Sequence, residues 1–200
     1  RHDAGAIIEA GINTAGEMQL LADLIDPDIA IITAVGPAHL ERLGDLEGVA
    51  REKSFLAKGV RPGGHVILPA SLMRYDAFRE IADTVSVHAV SIGCPDKESH
   101  ALVNLPNVTF YHYKWTEDEH SRGMGHLQTD GSMPTGLFSF RAGSPGMVSN
   151  LALVVHAALH LGLSGEQVRV AGAVRARKGT PTSRERRQRS VVDTELPRGA

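Results

Sequence analysis

Apolar and polar positions follow two rhythms along this chain, and the first half carries both in alternation. Ala6–Glu9 reads as a short strand ending on a carboxylate, and Gly11–Gly16 as a turn around Asn13. Glu17–Ile25 has helical spacing, with Leu20, Leu21, Leu24 and Ile25 on one face, and Pro27-Asp28 stops it. Ile29–Val35 is nearly all apolar, as expected of a strand buried on both faces of a parallel sheet, and Gly36-Pro37 ends it. Leu46–Val60 is a second helix, Gly63-Gly64 a turn, and His65–Leu68 a third strand. Leu72–Ala82 reads as a helix and Val85–Ile92 as a fourth strand. Strands alternating with helices of this length predict right-handed βαβ units and a parallel sheet.

The rhythm changes after Gly93. Val108–Trp115, Gly125–Thr129 and Gly136–Arg141 read as short strands, with Asp130-Gly131 as a hairpin turn signal between the last two. These predict a small antiparallel section added to the α/β core. Met147–Leu161 is a strongly apolar helix preceded by Ser144-Pro145-Gly146, and Ser164 is placed to cap a short helix over Gly165–Val174. From Arg175 onward apolar periodicity stops, and the last 26 residues hold seven arginines and one lysine. Such a segment reads as a disordered or aberrant basic tail, with no aromatic residue to stack on a base. The domain reading is therefore one partial domain over residues 1–174 and a tail over 175–200.

Composition narrows the function classes. An apolar share of 42% in 200 residues supports one real core. A net charge of −2 gives no reason to expect nucleic acid as a partner, and no apolar run reaches the roughly 20 residues of a membrane span. Cys94 is the only cysteine, which fits a cytoplasmic protein without internal disulfides. The chain starts at Arg1, almost directly before an apolar run, and reads as a piece of something longer.

Three polar residues could carry chemistry. Glu9, at the end of its expected strand, lies at the sheet edge where α/β proteins bind ligands, and a carboxylate there suits Mg²⁺. His39 follows the Ile29–Val35 strand by four residues and belongs to the same edge. Lys53 shares a helix face with Val49, Leu56 and Val60, so it points inward rather than into solvent. Each residue alone has a plainer reading, as a turn cap, a satisfied histidine or a solvated lysine. The sequence contains no G-x-x-x-x-G-K-[ST] phosphate loop, and Gly143-Ser144-Pro145-Gly146 lacks the lysine of one.

Taken together, the 45 residues from Glu9 to Lys53 resemble the central ATP-binding domain of the Mur ligase family. The pattern E-x-G-x-N-x-x-G-E is present as Glu9, Gly11, Asn13, Gly16 and Glu17. The following P-D-I-A-I-I-T-A-V-G-P-A-H-L-E-R-L-G block runs on to Lys53, and Val148-Ser149-Asn150-Leu151-Ala152-Leu153 is similar to the family's asparagine-bearing helix start. The branch it is most similar to adds D-alanyl-D-alanine to a UDP-N-acetylmuramoyl tripeptide.

This resemblance implies a mononucleotide-binding α/β fold of the P-loop type, cut before its first strand and loop. It implies an ATP-dependent ligase of peptidoglycan synthesis working through an acyl phosphate, with ATP and Mg²⁺ as cofactors. Glu9 would hold one Mg²⁺ and His39 a second, Lys53 would be the carbamylated lysine of the metal site, and Asn13 and Asn150 would face the nucleotide, Asn150 near the adenine. UDP-muramoyl peptide and D-alanyl-D-alanine would bind through domains outside this chain. Ala34 stands where the family usually has asparagine, Met147 replaces an asparagine, and Pro69-Ala70-Ser71 replaces a common N-A-D. With no phosphate loop, the chain alone is expected to be inactive. The alternatives are a folylpolyglutamate-synthase-like or cyanophycin-synthetase-like ligase, and a non-catalytic α/β fragment.

Overall fold

The computed structural model describes residues 5–38, 40–93, 105–119, 124–129 and 136–169. Six strands form one sheet in sequence order: β1 (Ile29–Ile31), β2 (His65–Pro69), β3 (Ser86–Ile92), β4 (Val108–Glu117), β5 (Met124–Thr129) and β6 (Leu137–Arg141). β1 to β4 are parallel, whereas β5 and β6 join by antiparallel pairing. β4 is the joint between the two parts, and Asp130-Gly131 and the tail lie outside the described residues.

Helices α1 (Glu17–Ile25), α2 (Leu40–Leu43), α3 (Leu46–Lys58) and α4 (Asp76–Arg79) come before β4, and α5 (Pro145–His160) follows β6. The sheet has two cores, because successive side chains on a strand face opposite ways. Val66, Leu68, Val87 and Ala89 pack with Ala50, Ala57 and Phe78. Ile67, Val90, Tyr113, Leu127 and Phe138 pack under Ala152, Leu153 and Val155 of α5. The β2 residues 66–68 are buried on both faces, and their unbroken apolar run is the sequence trace of that position. Ser144 caps α5 through the Met147 amide, and Ser164 and Gln167 cap each other reciprocally before helical residues 165–169.

Four expectations need correction. Residues 5–12 form no strand: Ile7 and Ile8 are exposed, and no described strand pairs with the outer edge of β1 to supply a ladder. The strand expected over Ile29–Val35 is a three-residue edge strand. Its register explains the stop. The Ile32 amide still donates to Ile67, but the next bond in the ladder would need an N–H at position 69, and that residue is Pro69. The helix expected over Leu72–Ala82 is the single turn α4 between two 3-10 segments, Ala70–Arg74 and Glu80–Asp83.

The fourth correction concerns the buried face of α1. Met18 and Ala22 are buried there, while Leu20 and Leu24 are exposed. Close contact with α3 selects this face, since a Cβ at Gly59 would stand 2.7 Å from the Ala22 Cβ. Only small residues let the two helices approach so closely.

Candidate nucleotide- and metal-facing site

The E-x-G-x-N-x-x-G-E segment builds a loop before it offers any chemistry. Gly16 has φ 88°, a left-handed conformation that favours glycine, and it turns the chain into α1. The Glu17 carboxylate folds back and accepts hydrogen bonds from the Asn13 amide at 2.6 Å and the Thr14 amide at 3.0 Å. Those amides, Thr14 first, hold its pKa below the usual carboxylate value. Gly16 and Glu17 are thus used for shape, and the Glu9 carboxylate and the Asn13 side chain are left exposed.

A second carboxylate secures the same loop. Glu52 on α3 is buried at 4% exposure and accepts from the Gly16 amide at 3.0 Å and the Met18 amide at 2.9 Å. It supplies the anion that the start of α1 favours, where peptide N–H groups have no helical partner. The apolar pattern of α3 carries no signal for its role, because the partner amides are more than thirty residues away.

Lys53 points inward, as its spacing predicts. Its Nζ donates to the Ala34 carbonyl at 2.6 Å, three residues beyond β1 and so at the C-terminal edge of the parallel strands. Burial lowers the pKa of the amine. Such an amine is more easily neutral, and only the neutral form adds to CO₂. The residues therefore fit a carbamate better than an ordinary surface lysine would.

A cleft of about 440 Å³ is lined by Asn13, Pro37, Leu40, Glu41 and Arg42. It joins the E-x-G-x-N loop to the segment either side of position 39. His39 itself lies outside the described residues. Asn150 is exposed on α5. Among the described residues, no hydrogen bond or ion pair joins Glu9, Lys53 and Asn150 to one another, so the structure brings Asn13 to the cleft and Lys53 to Ala34 but does not assemble the whole expected set.

The family model of the Mur ligase middle domain matches residues 2–132. The chain belongs to the Mur ligase family. UDP-N-acetylmuramoyl-tripeptide--D-alanyl-D-alanine ligase of Bacillus subtilis is 39% identical over 62 residues, which cover 31% of this chain and 14% of that protein. The Mycobacterium leprae ligase of the same name is 28% identical over 188 residues, 91% of this chain and 34% of that protein. In fold, the Mur ligase domain here is similar to MurF from Acinetobacter baumannii, with a TM-score of 0.59 and 24% identity, covering 81% of this chain and 32% of that one. MurF from Thermotoga maritima in complex with ADP gives a TM-score of 0.52 at 16% identity, covering 76% of this chain and 32% of that one. The chain thus spans about a third or less of the length of these relatives.

Proposed function

We propose that this chain supplies the metal-facing part of an ATP-dependent ligase that joins D-alanyl-D-alanine to a UDP-N-acetylmuramoyl tripeptide in the cytoplasm. The observation that carries this reading is the inward Lys53 amine, held 2.6 Å from the Ala34 carbonyl at the ligand-binding edge of a Mur ligase sheet. Glu9 offers an exposed carboxylate before the turn, Asn13 reaches the cleft, and Asn150 lies exposed on the first half of α5, where in this reading it would face the adenine.

In this reading Lys53 is carbamylated: its nitrogen bonds to the carbon of CO₂ and releases a proton, replacing a cation by a two-oxygen anion. Glu9, His39 and the Lys53 carbamate would then hold two Mg²⁺ ions, which offset charge on the transferring phosphoryl group when bound. Burial of the lysine favours the first step, and Glu17 and Glu52 keep the loop that carries Asn13 fixed against α1 and α3. Peptide and dipeptide binding falls to parts of the ligase beyond this chain.

The test is a chimera in which this chain's Mur ligase segment replaces the matching segment of the Bacillus subtilis relative. The expected result is ADP release that depends on both UDP-muramoyl tripeptide and D-alanyl-D-alanine, lost with Lys53→Ala and reduced at least about tenfold with Glu9→Gln. A folded chimera that hydrolyses or ligates nothing, or whose activity survives Lys53→Ala, would overturn the reading.

A further inference from the structure

A line of histidines occupies the other end of the sheet. His65 opens β2 and His88 is the third residue of β3, so both lie toward the N-terminal edge, away from Ala34 and Lys53. They project onto the face covered by α5, since Ile67 and Val90, two residues further along each strand, belong to the core beneath that helix. His156 and His160 stand one turn apart on α5. His65 Nδ1 lies 3.1 Å from His88 Nε2, His88 Nδ1 lies 2.8 Å from His156 Nε2, and His156 Nδ1 lies 3.0 Å from the Tyr113 hydroxyl. The His160 ring packs edge-on against His65 and His88, with centroids 4.2 Å and 4.7 Å away.

We propose that His65, His88 and His160 form a binding site for one divalent transition-metal ion, Zn²⁺ by preference, which fastens α5 to the parallel strands β2 and β3. One ring nitrogen from each of the three lies within 4.8 Å of the other two. In a tetrahedral zinc site with Zn–N of about 2.0–2.1 Å, neighbouring nitrogens stand about 3.3 Å apart. The His65–His88 pair at 3.1 Å is already at that spacing, and a His160 ring nitrogen stands within 4.8 Å of both and would have to move closer. An all-imidazole set suits zinc, nickel or copper and is unsuited to Mg²⁺, which separates this site chemically from the ligase metals.

The tautomers agree with this assignment. With the His88 Nε2 lone pair on the metal, its Nδ1–H donates to His156 Nε2, and His156 Nδ1–H donates to the Tyr113 oxygen. A metal-bound histidine ordinarily passes its second ring N–H to such a partner, which fixes the ring and raises its basicity. The plainer reading is a self-satisfied His–His–His–Tyr chain. It leaves His160 without a purpose, for its ring is set against two imidazoles yet has no hydrogen bond among the described residues. Three protein ligands leave a fourth position for water.

The experiment uses the chain purified without a histidine tag and stripped with EDTA. Cobalt(II) absorption and Zn²⁺ competition measure stoichiometry and affinity, and thermal unfolding with and without Zn²⁺ measures the fastening. The expected result is one metal per chain and a Tm raised by several degrees. His65→Gln and His160→Gln, both only partly buried, should each weaken binding by at least about tenfold with the fold intact by circular dichroism. The double variant should abolish the Tm shift, and His112→Gln and His126→Gln should leave it unchanged. Absence of saturable binding in the wild type, or binding that survives the double variant, would refute the site.

Discussion

Lys53 and Ala34 are joined by a 2.6 Å hydrogen bond from the side-chain amine to the backbone carbonyl. Because the acceptor is main chain, alanine in place of the family's usual asparagine leaves the bond intact. Burial lowers the Lys53 pKa and so favours the neutral amine that adds CO₂. Equilibration with ¹³C-bicarbonate near pH 8 should produce one carbamate carbonyl resonance, missing in Lys53→Ala. That variant should lose only about 1 kcal/mol of stability, the worth of one hydrogen bond. A carbamate signal that persists in the variant would assign it to another amine.

Glu52 should matter to the fold more than its charged neighbours. Glu52→Ala removes the acceptor of two amides, Gly16 and Met18, at the start of α1. The expected cost is about 2–4 kcal/mol, read as a lower urea midpoint, with Glu52→Gln costing about half as much. Arg51→Ala, at an exposed neighbouring position, should stay within about 0.5 kcal/mol. Equal effects at the two positions would mean that the Glu52 contacts contribute nothing.

The α1–α3 contact is tight enough to measure by a double-mutant cycle. Gly59→Ala places a methyl 2.7 Å from the Ala22 Cβ and should destabilise by about 1–3 kcal/mol. Ala22→Gly in the same chain should restore part of that loss, a non-additivity of at least about 0.5 kcal/mol. Strict additivity would show that the helices separate freely.

Acid should weaken the metal-free chain through its buried histidines. Burial, then the neighbouring imidazoles, brings His88 down to about 4 and His156 to about 3. His156 is faced by His88 and by Tyr111 and Tyr113 from the sheet, with His160 on its own helix, and no carboxylate is among these groups. In the unfolded chain both histidines titrate near 6.5. Below that pH the unfolded chain binds more protons. Stability is therefore complete above about pH 6.5 and is lost as pH falls toward 4 for His88 and 3 for His156, by about 1.4 kcal/mol per pH unit for each proton. Urea unfolding in EDTA at pH 7.0, 6.0 and 5.0 should show this decline, and His156→Met should flatten it. Midpoints that hold steady across the range would contradict neutral burial.

Most of the parallel sheet was legible because its signals are local. Val66-Ile67-Leu68 is an unbroken apolar run, Val87, Ala89 and Val90 keep β3 mostly apolar around His88, and Ser164 caps its helix within three residues of itself. Lys53 was legible for the same reason, since helical spacing alone turns it toward Val49 and Val60. The exposed Ile7-Ile8 segment misled because an apolar run records strand preference but not whether a neighbour exists to pair with it.

By itself, the sequence determined the alternating elements, a small antiparallel section late in the sheet, the family, and the inward lysine. Each follows from residue spacing, which a linear pattern records. Only the tertiary structure decided where β1 stops, which face of α1 is buried, that Glu52 holds the start of α1, and that His65, His88 and His160 meet. Those outcomes depend on contacts between residues tens of positions apart, and packing of helices on a sheet brings them together in ways no local periodicity encodes.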